Sequence, residues 1–302
     1  MTIDNPCVSI IINCYNGEKY LNDALESVLN QTYNNWEVIF WDNKSTDSSA
    51  KIFKSFQDKR FHYFYASEHT SLYKARNLAI EKSNCDFISF LDTDDLWDRN
   101  KLELQMPYFK NQEVGLVFSN FWQIKENTKK KKLYINKKLP SGRIYDELIN
   151  NYCVGILTTI IRKNMYLKLS KIFDERFSII GDFDLFLRLS KICIFESIQK
   201  PLAFYRLHGK NFSTLNKKKE VEELEMWLEE NKSNLNSMQF QRIQKDIGQK
   251  KFLFAKIDGK YKESISILFN SKINLFSLKN LFLLFTPIAL LKKFLWFYND
   301  SN

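Results

Sequence analysis

Apolar positions in the first third of the chain follow two alternating rhythms. Short runs, VSIII (8–12), WEVIFWD (36–42), FHYFYA (61–66) and CDFISFL (85–91), read as strands, and the β-branched VSIII suits one covered on both faces. Between them, apolar residues recur every three to four positions. EKYLNDALESVLNQ (18–31) puts Leu21, Ala24, Leu25, Val28 and Leu29 on one helical face. STDSSAKIFKSF (45–56) reads as a second helix, with Ser45 or Thr46 at the N-cap and Asp47 in the first turn. SLYKARNLAIEK (71–82) reads as a third. Strands separated by helices predict an α/β chain with a doubly wound, mostly parallel sheet, whose ligands bind beyond the carboxyl ends of the strands.

Further along, VGLVFSNFWQI (114–124) predicts a strand, and the lysine run after it a solvated hairpin or loop. YCVGILTTIIRKNMYLKL (152–169) suggests a strand leading to a helix, with the residues from Tyr152 to Thr159 placed to face a second substrate. FDLFLRL (183–189) opens an amphipathic helix. After about residue 215 helix formers dominate, and DGKYKES (258–264) reads as a turn between two helices. The expected organisation is therefore a catalytic domain over 1–215 and a C-terminal helical appendage over 216–302. In 275–298, apolar clusters alternate with Lys279, Lys292 and Lys293 and end in Trp296, Phe297 and Tyr298, with Pro287 breaking the helix. Such a stretch suits a membrane interface, a helix packed on the rest of the chain, or a dimer contact.

The net charge of +10 leaves nucleic acid, an anionic membrane surface or a phosphorylated substrate as partners. Five scattered cysteines without a CxxC pair predict a reduced, cytosolic chain with no disulfide framework and no structural zinc. The N-terminus has no basic region before its short apolar run, so no signal peptide is expected, and no stretch reaches the roughly 20 apolar residues of a spanning helix.

The candidate chemistry sits where the fourth apolar run stops. DFISFLDTDDLW (86–97) ends in Asp92, Asp94 and Asp95, which repel one another and lose hydration if drawn inward. No GxGxxG or GxxxxGK[ST] loop is present, so a phosphate ligand needs basic side chains and a metal instead. A DxD pair can supply that site, because Mg²⁺ or Mn²⁺ binds through one or two carboxylates and completes its shell with phosphate oxygens and water. A solvated turn before the next helix is the alternative.

VSIIINCYNGEKYLNDALESVLNQTYNNWEVIFWDNKSTDSS resembles the opening of glycosyltransferase family 2, whose catalytic domain has the GT-A fold. The resemblance continues through KARN, FLDTDD, FDERFSIIGDFDLFLRL and YRLHGKNFS, over about residues 6–215. It implies an inverting, metal-dependent transferase of the hexosyl class that moves a sugar from a nucleotide donor, UDP by family frequency, to a hydroxyl on a glycan or lipid-linked acceptor. By the same resemblance Cys14, Tyr15 and Asp42 border the nucleotide base, and Asp92 and Thr93 lie near the ribose and metal. Asp94 binds Mn²⁺ or Mg²⁺ with Asp92, and His208 approaches the metal and diphosphate beside Arg206. Arg76 positions the diphosphate or is a solvated helix residue, and Asp182 is the catalytic base with Asp184 in reserve. Four positions depart from the family pattern: Asn13 stands for a Pro before Cys14, Asn43 for a second Asp, Lys44 for a Gly, and Gly181 for the Glu that commonly precedes the base. A surface-glycan enzyme is expected, cytoplasmic or peripheral on the inner membrane face, as monomer or homo-oligomer. A silent nucleotide-sugar-binding protein of the same fold and a nucleic-acid-binding protein are the alternatives, the latter without a recognisable signature.

Overall fold

Parallel strands frame the first part of the chain, buried on both faces except at the edge. β1 (Val8–Cys14) pairs in parallel with β2 (Trp36–Asp42), β2 with β3 (Phe61–Tyr65), and β1 on its other side with β4 (Phe87–Phe90). The structure is a computed structural model that describes residues 5–270, 275, 278–288, 290 and 291. The connecting helices are α1 (Glu18–Leu29), α2 (Ser49–Ser55) and α3 (Leu72–Glu81). α1 buries Leu21, Ala24, Leu25 and Val28 as its periodicity predicts. α2 begins later than expected, with Ser48 rather than Ser45 or Thr46 at its N-cap, and Asp47 lies before the helix. The cause is local: Ser45, Thr46 and Asp47 bond the β1–α1 loop instead of continuing a helix.

Beyond β4 come β5 (Leu96–Trp97), α4 (Lys101–Gln105), β6 (Val114–Lys125), β7 (Lys131–Leu133), α5 (Tyr145–Asn150), β8 (Ile160–Arg162), α6 (Gly181–Ser190) and β9 (Ile194–Leu207). They extend the sheet to the order β3-β2-β1-β4-β8-β6-β9-β5, with β7 on β6. The longest ladders are parallel, while β8 is antiparallel to both β4 and β6. Segment 152–169 forms only the three-residue β8 between two 3₁₀ turns, not a strand and helix. Met165 and Tyr166 are buried in the second of these turns. The lysine run does form a hairpin, β6 to β7, with Lys129 at φ 56° in its turn.

Two further differences concern polar groups. Cys7 and Cys85 form a disulfide with Cα atoms 5.0 Å apart, contrary to the expected absence of one. They precede the neighbouring strands β1 and β4, a proximity hidden by 78 residues of sequence. Lys101 is fully buried, with Nζ 3.1 Å from Ser89 Oγ and 4.1 Å from the centre of the Trp97 ring.

Contacts divide the chain into one unit of Met1–Leu148 with Tyr152–His208 and a second of Ile149–Asn151 with Gly209–Asn302. The second unit is helical: α7 (Phe212–Leu215), α8 (Lys217–Asn231), α9 (Ser237–Ile257), α10 (Tyr261–Leu268) and α11 (Leu278–Phe285). A capping box, Asn236 with Gln239, starts α9. Lys250 of α9 pairs with Glu220 of α8 at 2.8 Å, and Phe252, Leu268, Leu275 and Leu284 form an apolar cluster. The expected turn at DGKYKES is present, with Gly259 at φ 74°. Much of the proposed membrane segment 275–298, including Lys292, Lys293, Trp296, Phe297 and Tyr298, lies outside the described residues. Among the described residues, no helix is long and apolar enough to cross a membrane.

Burial drives the Lys101 amine well below its ordinary pKa. The unfolded chain therefore binds this proton more readily, and stability rises with pH between the lowered value and about 10.4. Lys101→Met should be as stable as the parent near neutral pH, or more stable by about 1–2 kcal/mol. Its urea midpoint should also gain less than the parent's between about pH 7 and about pH 9. A destabilised Lys101→Met variant with an unchanged pH slope would contradict this assignment.

Candidate active site

The carboxyl ends of β1, β2 and β4 meet at one edge of the sheet, held there by bonds between loops. Asn16, at φ 54°, donates its backbone N–H to Ser45 Oγ (3.0 Å) and accepts from Thr46 N–H (2.8 Å). Gly17 N–H donates to Ser49 Oγ (3.0 Å), and Glu18 N–H to Asp47 Oδ2 (2.9 Å). Much of the polar DNKSTDSS segment therefore serves to shape the YNG loop. A Cβ at Gly17 would lie 2.9 Å from Thr93 Oγ1 and 3.1 Å from Cys14 Sγ, so glycine is what lets the acidic turn pack against this loop. Cys14 is buried, and burial raises its thiol pKa.

Asp42 ends β2 with no solvent exposure. Ser45 N–H donates to Oδ1 (2.7 Å) and the Tyr63 hydroxyl to Oδ2 (2.6 Å). Asn43 uses both ends of its amide on the β3–α3 loop: Nδ2 donates to Thr70 O (2.8 Å) and Oδ1 accepts from Thr70 N–H (3.1 Å). An aspartate there could not make the first of these bonds. Lys44 holds φ 71°, a conformation that favours glycine. Tyr15 is exposed and lies against His69, ring centres 4.2 Å apart, and His69 Nδ1 sits 2.9 Å from Asn43 O. His69 carried no motif in the sequence; only this contact singles it out.

Each acid of the DTDD turn has its own partner. Asp92 Oδ1 accepts from Arg76 Nη2 at 2.7 Å, and Arg76 is 3% exposed, which removes the reading of it as a solvated helix residue. Burial works against the Arg76 charge, but Asp92, Tyr73 and Asp182 outweigh it, and its pKa is raised. Asp94 Oδ2 lies 2.9 Å from His208 Nε2. Asp95 is buried and accepts from Arg206 N–H (3.0 Å); burial, then the charges of Asp94 and Asp92, push its carboxyl well above the usual range. Arg206 also donates from Nε to Asp94 O (3.0 Å) and from Nη2 to Asp23 (3.0 Å), and covers the Tyr20 ring at 4.6 Å. The Tyr20 and His208 rings are 5.0 Å apart, and the Tyr20 hydroxyl donates to Glu126 (2.7 Å).

Asp182 lies in the first turn of α6, half-buried. Its Oδ1 accepts from Phe183 N–H (2.9 Å) and from the Tyr73 hydroxyl (3.3 Å). Burial raises its pKa, opposed first by the Arg76 charge. Asp184 turns elsewhere, to a two-pronged pair with Arg188 at 2.9 and 2.7 Å, and Arg188 in turn ties the Lys171 and Ile172 carbonyls. Tyr73 was missed in the sequence, although its place three residues before Arg76 puts both on one face of α3.

Among the described residues no three His, Cys, Asp or Glu side chains form a ready metal cluster. Asp94 with His208, and Asp92 two residues before Asp94, are a donor set that suits a divalent ion taking one or two protein carboxylates, an imidazole, and oxygens from a bound phosphate. The same turn with Arg76 and Arg206 suits an anionic ligand.

The chain is similar to known proteins in sequence and in fold. The chain is 32% identical over 163 residues to the putative teichuronic acid biosynthesis glycosyltransferase TuaG of Bacillus subtilis, covering 53% of this chain and 64% of that protein. It is 31% identical to the Escherichia coli glucosyltransferase WfgD over 54% of this chain and 63% of that one, so it spans under two thirds of either relative. Residues 1–349 of TarS from S. aureus share the fold at a TM-score of 0.60 and 16% identity, over 89% of this chain and 82% of that one. The mannosyltransferase PcManGT of Pyrobaculum calidifontis, solved with GDP-Man and Mn²⁺, does so at 0.61 and 15%, over 95% and 81%. These likenesses identify the architecture as GT-A. Residues 9–177 match the model of glycosyl transferase family 2, and the chain belongs to that family.

Proposed function

We propose that the chain transfers a sugar from a nucleoside diphosphate donor, UDP in the first instance, to a hydroxyl acceptor in surface-glycan synthesis. The observation that carries this reading is the position of Arg76. Its buried guanidinium binds Asp92 on the donor side, and its charge also acts on Asp182. The relatives support the choice of substrates: WfgD is named for UDP-Glc and a diphosphoundecaprenol-linked acceptor, and TarS was solved with UDP.

In this reading the base stacks near Tyr15 and His69, beside the end of β2 where Ser45 and Tyr63 hold the Asp42 carboxylate. Cys14 and Thr93 shape the floor through their packing on Gly17, and Arg76 and Arg206 orient the diphosphate. Asp94 and His208, with Asp92, would hold Mn²⁺ or Mg²⁺, which when bound offsets negative charge on the leaving diphosphate. Asp182 takes the proton of the acceptor hydroxyl as its oxygen bonds to the anomeric carbon, and the carbon–oxygen bond to the diphosphate breaks with its electron pair on the diphosphate. One base opposite the leaving group gives a single displacement with inversion and no glycosyl–enzyme intermediate. The exposed Phe282 and Phe285 of α11 support peripheral contact with a membrane that carries the acceptor.

A panel of nucleotide sugars with Mn²⁺ or Mg²⁺, followed by released nucleoside diphosphate, tests this function. Asp182→Asn should lower turnover by about 10²–10⁴-fold with donor affinity unchanged. Asp94→Ala should weaken donor binding and lose metal dependence as well. Binding without turnover in the parent chain would leave a silent nucleotide-sugar-binding protein, and salt-sensitive nucleic-acid binding indifferent to both changes would replace the function altogether.

The pH profile is a second test. Asp182 must be ionised to act, and burial raises its folded pKa. Transfer should therefore fall as pH drops through that raised value, with kcat/KM losing its plateau above the ordinary aspartate pKa of about 3.9. An acid limb at or below that value, or one still present in an active Asp182→Asn variant, counts against Asp182 as the base.

A further inference from the structure

We propose that Tyr73 is the positioning residue for Asp182, and that position 181 is glycine in this chain because the Tyr73 ring occupies the space of a side chain. The inference rests on Asp182 being the base. Tyr73 is 2% exposed on α3, one turn before Arg76. Its hydroxyl donates to Ile179 O at 2.9 Å and to Asp182 Oδ1 at 3.3 Å, and it accepts from Asp182 N–H at 3.3 Å. One hydroxyl therefore grips the start of α6 at a carbonyl, an amide and the functional carboxylate.

The ring fixes the hydroxyl. A Cβ at Gly181 would lie 2.6 Å from Tyr73 Cδ2 and Cε2 and 2.7 Å from Cζ, so the ring rests directly on the glycine backbone. The ring also stacks on Phe173, centres 5.1 Å apart with an interplanar angle of 25°. A buried ring in contact with both the glycine backbone and Phe173 has little room to yield to a methyl group. The Gly181 departure is thus explained by space, and the hydroxyl supplies a polar contact to the base from a different helix.

A hydroxyl has one proton and two lone pairs, so Tyr73 divides its donation between the Ile179 carbonyl and Asp182. An ionised carboxylate is the stronger acceptor, and a protonated one releases the donor. Tyr73 consequently favours the charged form that accepts the substrate proton, and it holds Oδ1 in place so that Oδ2 can face the acceptor. The other ionisable groups around Asp182 are Arg76 on α3 and Tyr152, whose ring meets Phe183 edge-on at 5.3 Å and whose buried hydroxyl has no partner among the described residues. Asp184 is occupied by Arg188.

Tyr73→Phe keeps the ring and removes only the hydroxyl, and is the variant to make. The expected result is a roughly 10- to 100-fold loss in kcat with the donor KM unchanged. The acid limb of kcat/KM should also move to higher pH, because the carboxylate loses a donor that lowers its pKa. Gly181→Ala should lower kcat in the parent chain and cost less in a Tyr73→Leu background, where the ring is gone. Parental kcat and an unmoved acid limb in Tyr73→Phe overturn the proposal. A carbon-13 NMR titration of Asp182 in the parent and in Tyr73→Phe reads the same contact without turnover. If the parent transfers no sugar the proposed function fails, whereas an Asp182 pKa unchanged by Tyr73→Phe rejects the contact itself.

Discussion

Three carboxylates within four residues cannot stay ionised side by side without compensating charge, since each close like-charge neighbour costs on the order of a few kcal/mol near a protein surface. The site is organised around the way this repulsion is relieved. Asp92 has Arg76 from α3, Asp94 has His208 from the end of β9, and Asp95 has the backbone of Arg206 and a raised pKa. The compensating groups come from elements far apart in sequence, so the turn at the end of β4 also fixes where α3 and β9 sit. Asp95 is buried, while Asp92 and Asp94 remain half-buried, the first beside the Arg76 guanidinium and the second beside the His208 ring.

In the proposed reaction Arg76 connects the donor and acceptor halves of the site. A guanidinium is always charged and more weakly hydrated than an ammonium, which makes it the cation best suited to a site that excludes water. Here it is buried among Tyr73, Phe90 and Phe173 and presents its charge to Asp92 and Asp182 together. That charge opposes the burial of Asp182 and keeps its carboxyl from rising as far as burial alone would carry it. Bringing a negative diphosphate to Arg76 would in turn weaken this support and make Asp182 more basic, a coupling in the direction that proton abstraction requires.

The strand–helix alternation, the acidic turn and the DNKS loop were legible in the sequence because each depends on residues close together in the chain. Hydrophobic spacing placed α1 within a residue or two, and the carboxyl ends of β1, β2 and β4 fell where the polar motifs stood. What remained hidden depends on tertiary contact. The disulfide joins Cys7 to Cys85 across two strands, Tyr73 reaches Asp182 across 109 residues, and Lys101 is buried although nothing in its local sequence marks it. The start of α2 was misread because serines and an aspartate that look like helix caps are recruited by a neighbouring loop. Asn43 and Gly181, which read as departures from a motif, have physical reasons only in three dimensions: one needs an amide donor for Thr70 and the other has no room for a Cβ.

The central claim is that the acids at the end of β4 hold a donor diphosphate together with a divalent ion. The most direct measurement is a crystal structure with UDP and Mn²⁺, with the ion located by its anomalous scattering. The account predicts one manganese peak within bonding distance of Asp94 and a diphosphate oxygen, with His208 at or next to the ion and Arg76 still on Asp92. A bound nucleotide with its diphosphate away from Asp94, or a manganese peak remote from this turn, would contradict it.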